Sequence, residues 1–170
     1  MTIDIAKFMR RLEAIWDEHL DASLIRCDVA GSMAHMTAEP SVRHIPSMTG
    51  AAGRPAVERF YRTEFFPHLP RDLVRTKLSR TVDRFRLVDE TMTSFTHDRE
   101  LRWLLPGVEP TYRRAEVLTI AVVSFERGLL SSQRILWDHA SLTAQLGLPS
   151  LRLGSSQPRP AASAAAIPSV

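Results

Sequence analysis

An α+β fold, with helices gathered ahead of a meandering antiparallel sheet, follows from three features of the sequence. Apolar residues recur at helical spacing near the N-terminus, and from Val74 onward they alternate or cluster with β-branched neighbours. Tight-turn candidates, Asp83-Arg84 and Arg127-Gly128, separate the later runs. Helices followed by an unbroken succession of strands point to an α+β layer rather than to parallel βαβ units. At 170 residues, 44% of them hydrophobic, the chain can bury one substantial core, and a single domain over 1–153 is expected.

The first element is the clearest. Ile5, Phe8, Met9, Leu12, Ile15, Trp16 and Leu20 share one helical face while Lys7, Arg10, Arg11, Asp17 and Glu18 share the other. A weaker helical stretch around Asp28–Met36 ends before Glu39-Pro40, since the residue before proline avoids helical dihedrals. Ser41–Pro46 reads as a short strand and Met48–Gly53 as a loop. Pro55 suits the first turn of a helix, where its missing N–H is not needed; that helix carries Val57, Phe60, Tyr61, Phe65 and Phe66 on one face and stops at about Pro67. Four strands follow, Val74–Val82, Phe85–Thr96, Glu116–Phe125 and Leu129–Trp137, with a brief closing helix over Ala140–Leu146. The final GSSQPRPAASAAAIPSV is too poor in apolar side chains to offset the entropy of ordering it, so 154–170 is expected to be a disordered tail.

Charge and motifs exclude several functions. The net charge is +3, Lys7 and Lys77 are the only lysines, and the arginines lie scattered among acids, a poor match to a phosphate-tracking stripe. No nucleic acid partner is expected. The lone Cys27 has no partner for a disulfide, and the longest apolar run, Val117–Phe125, is too short to span a bilayer. A cytoplasmic protein without a membrane partner is therefore expected. There is no glycine-rich phosphate loop, no HExxH or CxxC, and no GxSxG, so neither metal nor cofactor is expected.

Taken together, VRHIPSMTG, GRPAVERFY, SRTV, LVDE, SFTHD, WLLPGVEPT and WDHAS resemble the SnoaL-like, or polyketide-cyclase-like, branch of the nuclear-transport-factor-2-like (NTF2-like) superfamily over about Phe8–Leu148. The resemblance implies a cone: helices packed on a strongly curved, mainly antiparallel sheet around an apolar pocket, in a homodimer. It also implies a cofactor-independent enzyme of the cyclase, isomerase or lyase (dehydratase) kind, acting on a hydrophobic carbonyl compound. A non-catalytic ligand-binding or protein-interaction module is the alternative, with epoxide hydrolysis third, because one fold hosts many functions.

The expected catalytic residues are Asp138, His44 and His97. Asp138 follows Trp137 at the end of the last strand, where an apolar neighbour would raise its pKa toward that of a general acid/base; it equally suits the cap of the helix that follows. His44 stands within the HxPxMTG pattern of the resembling family and suits proton shuttling near neutral pH, or a hydrogen-bonded place in the core. His97-Asp98 invites a pairing, but adjacent strand residues face opposite ways, so Asp89 groups with His97 and Glu90 with Asp98. Tyr61, Glu90, Trp103, Glu116, Arg134 and Trp137 complete the substrate-binding candidates. In the relatives, the strand before Trp137-Asp138 carries ionisable groups where this chain has Gln133 and Leu136, and Tyr112 and Leu118 also depart from the pattern. Arg134 shares a face with Asp138, which would keep that carboxylate ionised.

Overall fold

The computed structural model describes residues 4–149. The tail expected over 154–170, and with it the domain boundary at 153, lies outside them.

Helix α1 (Ile5–Leu20) begins at Asp4, whose carboxylate accepts a hydrogen bond from the Lys7 amide at 3.1 Å. Its apolar stripe buries Leu12 and Trp16; removing Leu12 from water contributes about 2 kcal/mol. The chain runs on through a wide π-helical turn, Asp21–Ile25, into the short α2 (Val29–Ala34). Strand β1 spans Met36–Ile45, earlier than the Ser41 start that Pro40 suggests. Its register breaks between Met36 and Ser41, so Pro40 falls in an irregular stretch where no ladder bond needs its N–H.

The expected loop Met48–Gly53 contains a three-residue strand, β2 (Gly50–Ala52), which pairs antiparallel with β1. Gly50, at φ 131°, lets the backbones approach where a Cβ would collide with the Val42 carbonyl. Helix α3 (Arg54–Phe60) carries Pro55 in its first turn and continues through a second wide turn, Tyr61–Phe65.

Strands β3 (Val74–Val82), β4 (Arg86–Thr96), β5 (Arg114–Glu126) and β6 (Leu129–Trp137) form an antiparallel meander, and α4 (His139–Leu146) follows. Asp83 closes the first turn by accepting from the Phe85 and Arg86 amides. Arg127 and Gly128 both take positive φ, the geometry of a two-residue hairpin turn. The six strands order as β2-β1-β6-β5-β4-β3, with β1 joining β6 in parallel.

Alternation assigns the two faces. Leu87, Asp89, Thr91, Thr93 and Phe95 of β4 are buried, as are Ala115, Val117, Thr119, Ala121, Val123 and Phe125 of β5. These residues meet the helices. No helix among the described residues is long and apolar enough to cross a membrane.

Candidate functional site

A cavity of about 70 Å³ opens between this helix-covered face and the helices. Trp16 and Leu20 of α1, with Ser23 and Leu24 of the turn after it, form one wall; His44, Tyr61, Phe65 and Trp103 form another. The sheet supplies Arg75, Thr93, Thr119, Ala121, Gln133 and Ile135, with Leu73 just before β3. The lining is mainly apolar, with a few convergent polar groups, as small-molecule sites usually are. The volume holds only a few waters, so a larger ligand needs the walls to move apart.

His44 points inward because it shares parity with Val42 on β1. Its ring is 2% exposed, with ring centroids of Trp103, Phe65 and Phe60 at 5.4, 5.5 and 5.7 Å. Nδ1 has no hydrogen-bond partner. Burial pushes the ring pKa down to about 3, so the imidazole is neutral at physiological pH.

Below it lies a polar chain whose hydrogens follow from its ends. His19 Nδ1 faces the Ser32 carbonyl at 3.2 Å; a carbonyl only accepts, so Nδ1 carries the proton. His19 Nε2 is then the acceptor for the Tyr61 hydroxyl at 3.3 Å, and that hydroxyl in turn accepts from Gln133 Nε2. Burial lowers the His19 pKa to about 4, partly offset by the Ser32 bond and reinforced by His35, and it raises that of Tyr61. Gln133 is thus committed to a neutral network. Tyr61 has no proton left to donate to a ligand.

Next to the cavity, Asp89 is 1% exposed and fully engaged. Arg80 grips it with Nε at 2.9 Å and Nη2 at 3.0 Å, Trp16 Nε1 donates at 2.9 Å, and Arg75 approaches to 3.7 Å. Burial alone would raise the Asp89 pKa, but these hydrogen bonds and the two arginines hold it below the ordinary value. Asp89 is therefore ionised and structural. Sequence reasoning grouped it with His97 but named Glu90 instead; the alternation from Leu87 to Phe95 was the signal that could have chosen between them. Thr119 joins Thr91 at 2.7 Å and Thr93 at 2.8 Å in a hydroxyl ladder across the cavity floor. The ladder and Arg75 carried no sequence signal beyond strand parity.

Of the nine candidates, His44, Tyr61 and Trp103 line the cavity together. Trp137 is buried behind His44, with ring centroids 6.5 Å apart, and its Nε1 lacks a partner. His97 is fully buried at the base of the β4–β5 loop, its Nδ1 3.2 Å from the Thr111 hydroxyl, away from the cavity lining. The others point elsewhere. Asp138 is exposed and caps α4, accepting from the Ser141 amide at 3.0 Å. Capping, not pocket chemistry, is the use that its position supports. Arg134 is exposed because Gln133, Ile135 and Trp137 take the inward parity of β6. Glu116 is exposed beside α4, its amide donating to Gln145 Oε1 at 2.9 Å. Glu90 lies on the outer face and accepts from Ser79 at 2.8 Å. An epoxide-opening site built from Asp138 and Arg134 is incompatible with these positions. Among the described residues, no group of three or more His, Cys, Asp or Glu side chains is arranged to hold a metal ion.

No protein-family profile matches the chain, and no curated protein does. Solved structures match its fold. A protein provisionally assigned as a SnoaL-like polyketide cyclase, from a Jannaschia species, superposes with a TM-score of 0.69 at 14% identity, covering 88% of this chain and 98% of that one. A Catenulispora acidiphila protein with a ketosteroid isomerase-like fold, in complex with trimethylamine, gives 0.59 at 13% identity, over 79% and 93% of the two chains. TsrD from Streptomyces laurentii gives 0.58 at 22% identity, over 82% and 97%. The chain shares the NTF2-like fold of these structures.

Proposed function

We propose that this chain is a SnoaL-like small-molecule enzyme of the cyclase, isomerase or dehydratase kind. It holds a hydrophobic carbonyl compound in the cavity and moves a proton with His44. The observation that carries this reading is a neutral, unpartnered imidazole in the wall of a mainly apolar cavity. An imidazole with so low a pKa is a weak base toward water, yet next to a forming enolate the same ring is stabilised as imidazolium by the charge opposite it.

The test is a thermal-shift screen of aromatic ketones and lactones, then turnover assays on the binders. His44→Leu is expected to cut turnover about 100- to 10,000-fold while leaving the protein folded and about 1 kcal/mol more stable, because a buried unpaired polar atom is removed. Asp138→Asn is expected to leave turnover unchanged. Full turnover by His44→Leu would sink the catalytic reading.

A second reading, a non-catalytic binding module, is favoured by the commitment of Gln133, Tyr61 and His19 to one another. Tight binders that wild type leaves unchanged would decide for it.

The outer sheet face carries half-buried Leu118, Ile120, Val122 and Leu136, with Val88 39% exposed, an apolar surface suited to a second copy of the chain. Light scattering is expected to report a homodimer, and Ile120→Lys a monomer; a monomeric wild type would remove the dimer from the proposal.

A further inference from the structure

Most polar side chains in the cavity wall already have their partners. Ser23 donates to the His19 carbonyl at 2.8 Å, Thr93 and Thr119 bond each other, and Gln133 is held by Tyr61. Arg75 is different. Its side chain is about one-fifth exposed (21%) and lines the cavity near Leu73, Leu20 and Leu24, all of them partly exposed. That stretch is the rim; His44, at 2% exposure, is deep.

Asp89 meets Arg75 only as a long ion pair, without a hydrogen bond. Both carboxylate oxygens are taken up by the Arg80 fork, and Trp16 adds a third bond, which leaves Arg75 Nη2 at 3.7 Å, beyond hydrogen-bond reach. Its remaining contact is a long 3.4 Å bond to the Thr91 hydroxyl, which is already 2.7 Å from Thr119. A guanidinium has five N–H groups in a planar fork that matches a carboxylate. Arg80 does not relieve the imbalance, since it is a like charge and spends its outer Nη2 on the exposed Asp17 at 2.8 Å.

We propose that the cavity takes an organic acid, with the ligand's carboxylate on Arg75 at the rim and its apolar body directed inward between Trp16, Phe65 and Trp103 toward His44. The assignment rests on reading the cavity as a ligand site and adds the chemical class of the ligand. A neutral ketone would leave the rim guanidinium short of hydrogen-bond acceptors, whereas a carboxylate supplies them. Burial lowers the Arg75 pKa, with Asp89 only partly restoring it, in keeping with an under-compensated cation.

The test pairs acids with their uncharged isosteres: benzoate against benzamide, and phenylacetate against phenylacetamide, titrated into the full chain by calorimetry. Fluorescence of the cavity tryptophans, Trp16 and Trp103, serves as a second readout. The acids are expected to bind at least about 10-fold more tightly than the amides, and their advantage to shrink as sodium chloride is raised. Arg75→Gln is expected to bring the acids down to the level of the amides, and Arg75→Lys to keep part of the preference. Equal affinity of acid and amide for wild type overturns the acid assignment and leaves the ligand-site reading standing. Binding of neither overturns both. An acid preference that survives in Arg75→Gln at full strength overturns the role of Arg75; the comparison within wild type stands whether or not either variant folds.

Discussion

Acidifying the solution from pH 7 to pH 4 is expected to strip several kcal/mol from the stability of this protein, most of it below pH 6.5. Two buried histidines drive the loss: burial holds His44 at about 3 and His19 at about 4, against an ordinary 6.5. Because the folded pKa lies below the unfolded one, the unfolded chain binds protons that the folded chain refuses throughout the window between them. Stability therefore falls as pH falls, by up to about 1.4 kcal/mol per pH unit for each ring. His97 is shifted in the same direction, chiefly by burial and less because Asp98 is near. Asp89 acts lower: its folded pKa is depressed below 3.8, so its contribution is present above that value and disappears as pH drops through the folded pKa. Against a total of about 5–15 kcal/mol for a typical domain, the combined loss is enough to unfold the chain in mild acid. Urea midpoints at pH 7, 5.5 and 4 test this, with His44→Leu expected to flatten the slope. A midpoint that stays constant across the range would contradict the burial of both rings as neutral species.

The second large effect is at Asp89. Asp89→Ala is expected to cost about 3–5 kcal/mol at pH 7, because it strands the buried Arg80 fork and the Trp16 N–H together. The loss is mainly that of leaving charges without partners, so Asp89→Leu combined with Arg80→Met should recover much of it. Asp17→Ala gives the internal comparison. Asp17 meets the same arginine, but its side chain is 60% exposed, and such pairs contribute about 0–1 kcal/mol. A urea titration in which Asp89→Ala and Asp17→Ala lose equally little would refute the structural reading of the cluster.

The two predictions meet in one region. Trp16 is a wall of the cavity and a donor to Asp89, and it stacks on His19 at 5.6 Å, so α1 ties the ion cluster, the neutral histidine chain and the cavity into one cooperative unit. A polar network of this kind does little for net stability compared with an apolar core, but it holds the wall residues in one arrangement. That suits the proposed site, in which Arg75 and His44 position the ligand.

Much of the fold was legible in the one-dimensional pattern. Helix α1, all four meander strands and both hairpin turns lie where periodicity and turn residues put them, because period-3.6 and period-2 burial are local properties of a chain that packs one face. The pairing of β1 with β6 across the whole chain, the strand inside Met48–Gly53 and the passage of β1 through Pro40 were not legible. They depend on which distant backbone supplies the hydrogen bonds. The site divides in the same way. His44, Tyr61 and Trp103 were identifiable as candidates from their residue types and setting, and they do converge. The inward parity of Gln133 over Arg134, the exposure of Asp138 and the burial of Asp89 depend on the register of β4, β5 and β6 and on where α4 begins. A shift of one residue in a strand exchanges its faces, so residue identity specifies what a side chain can do, while packing across the sheet selects which of them meet a ligand.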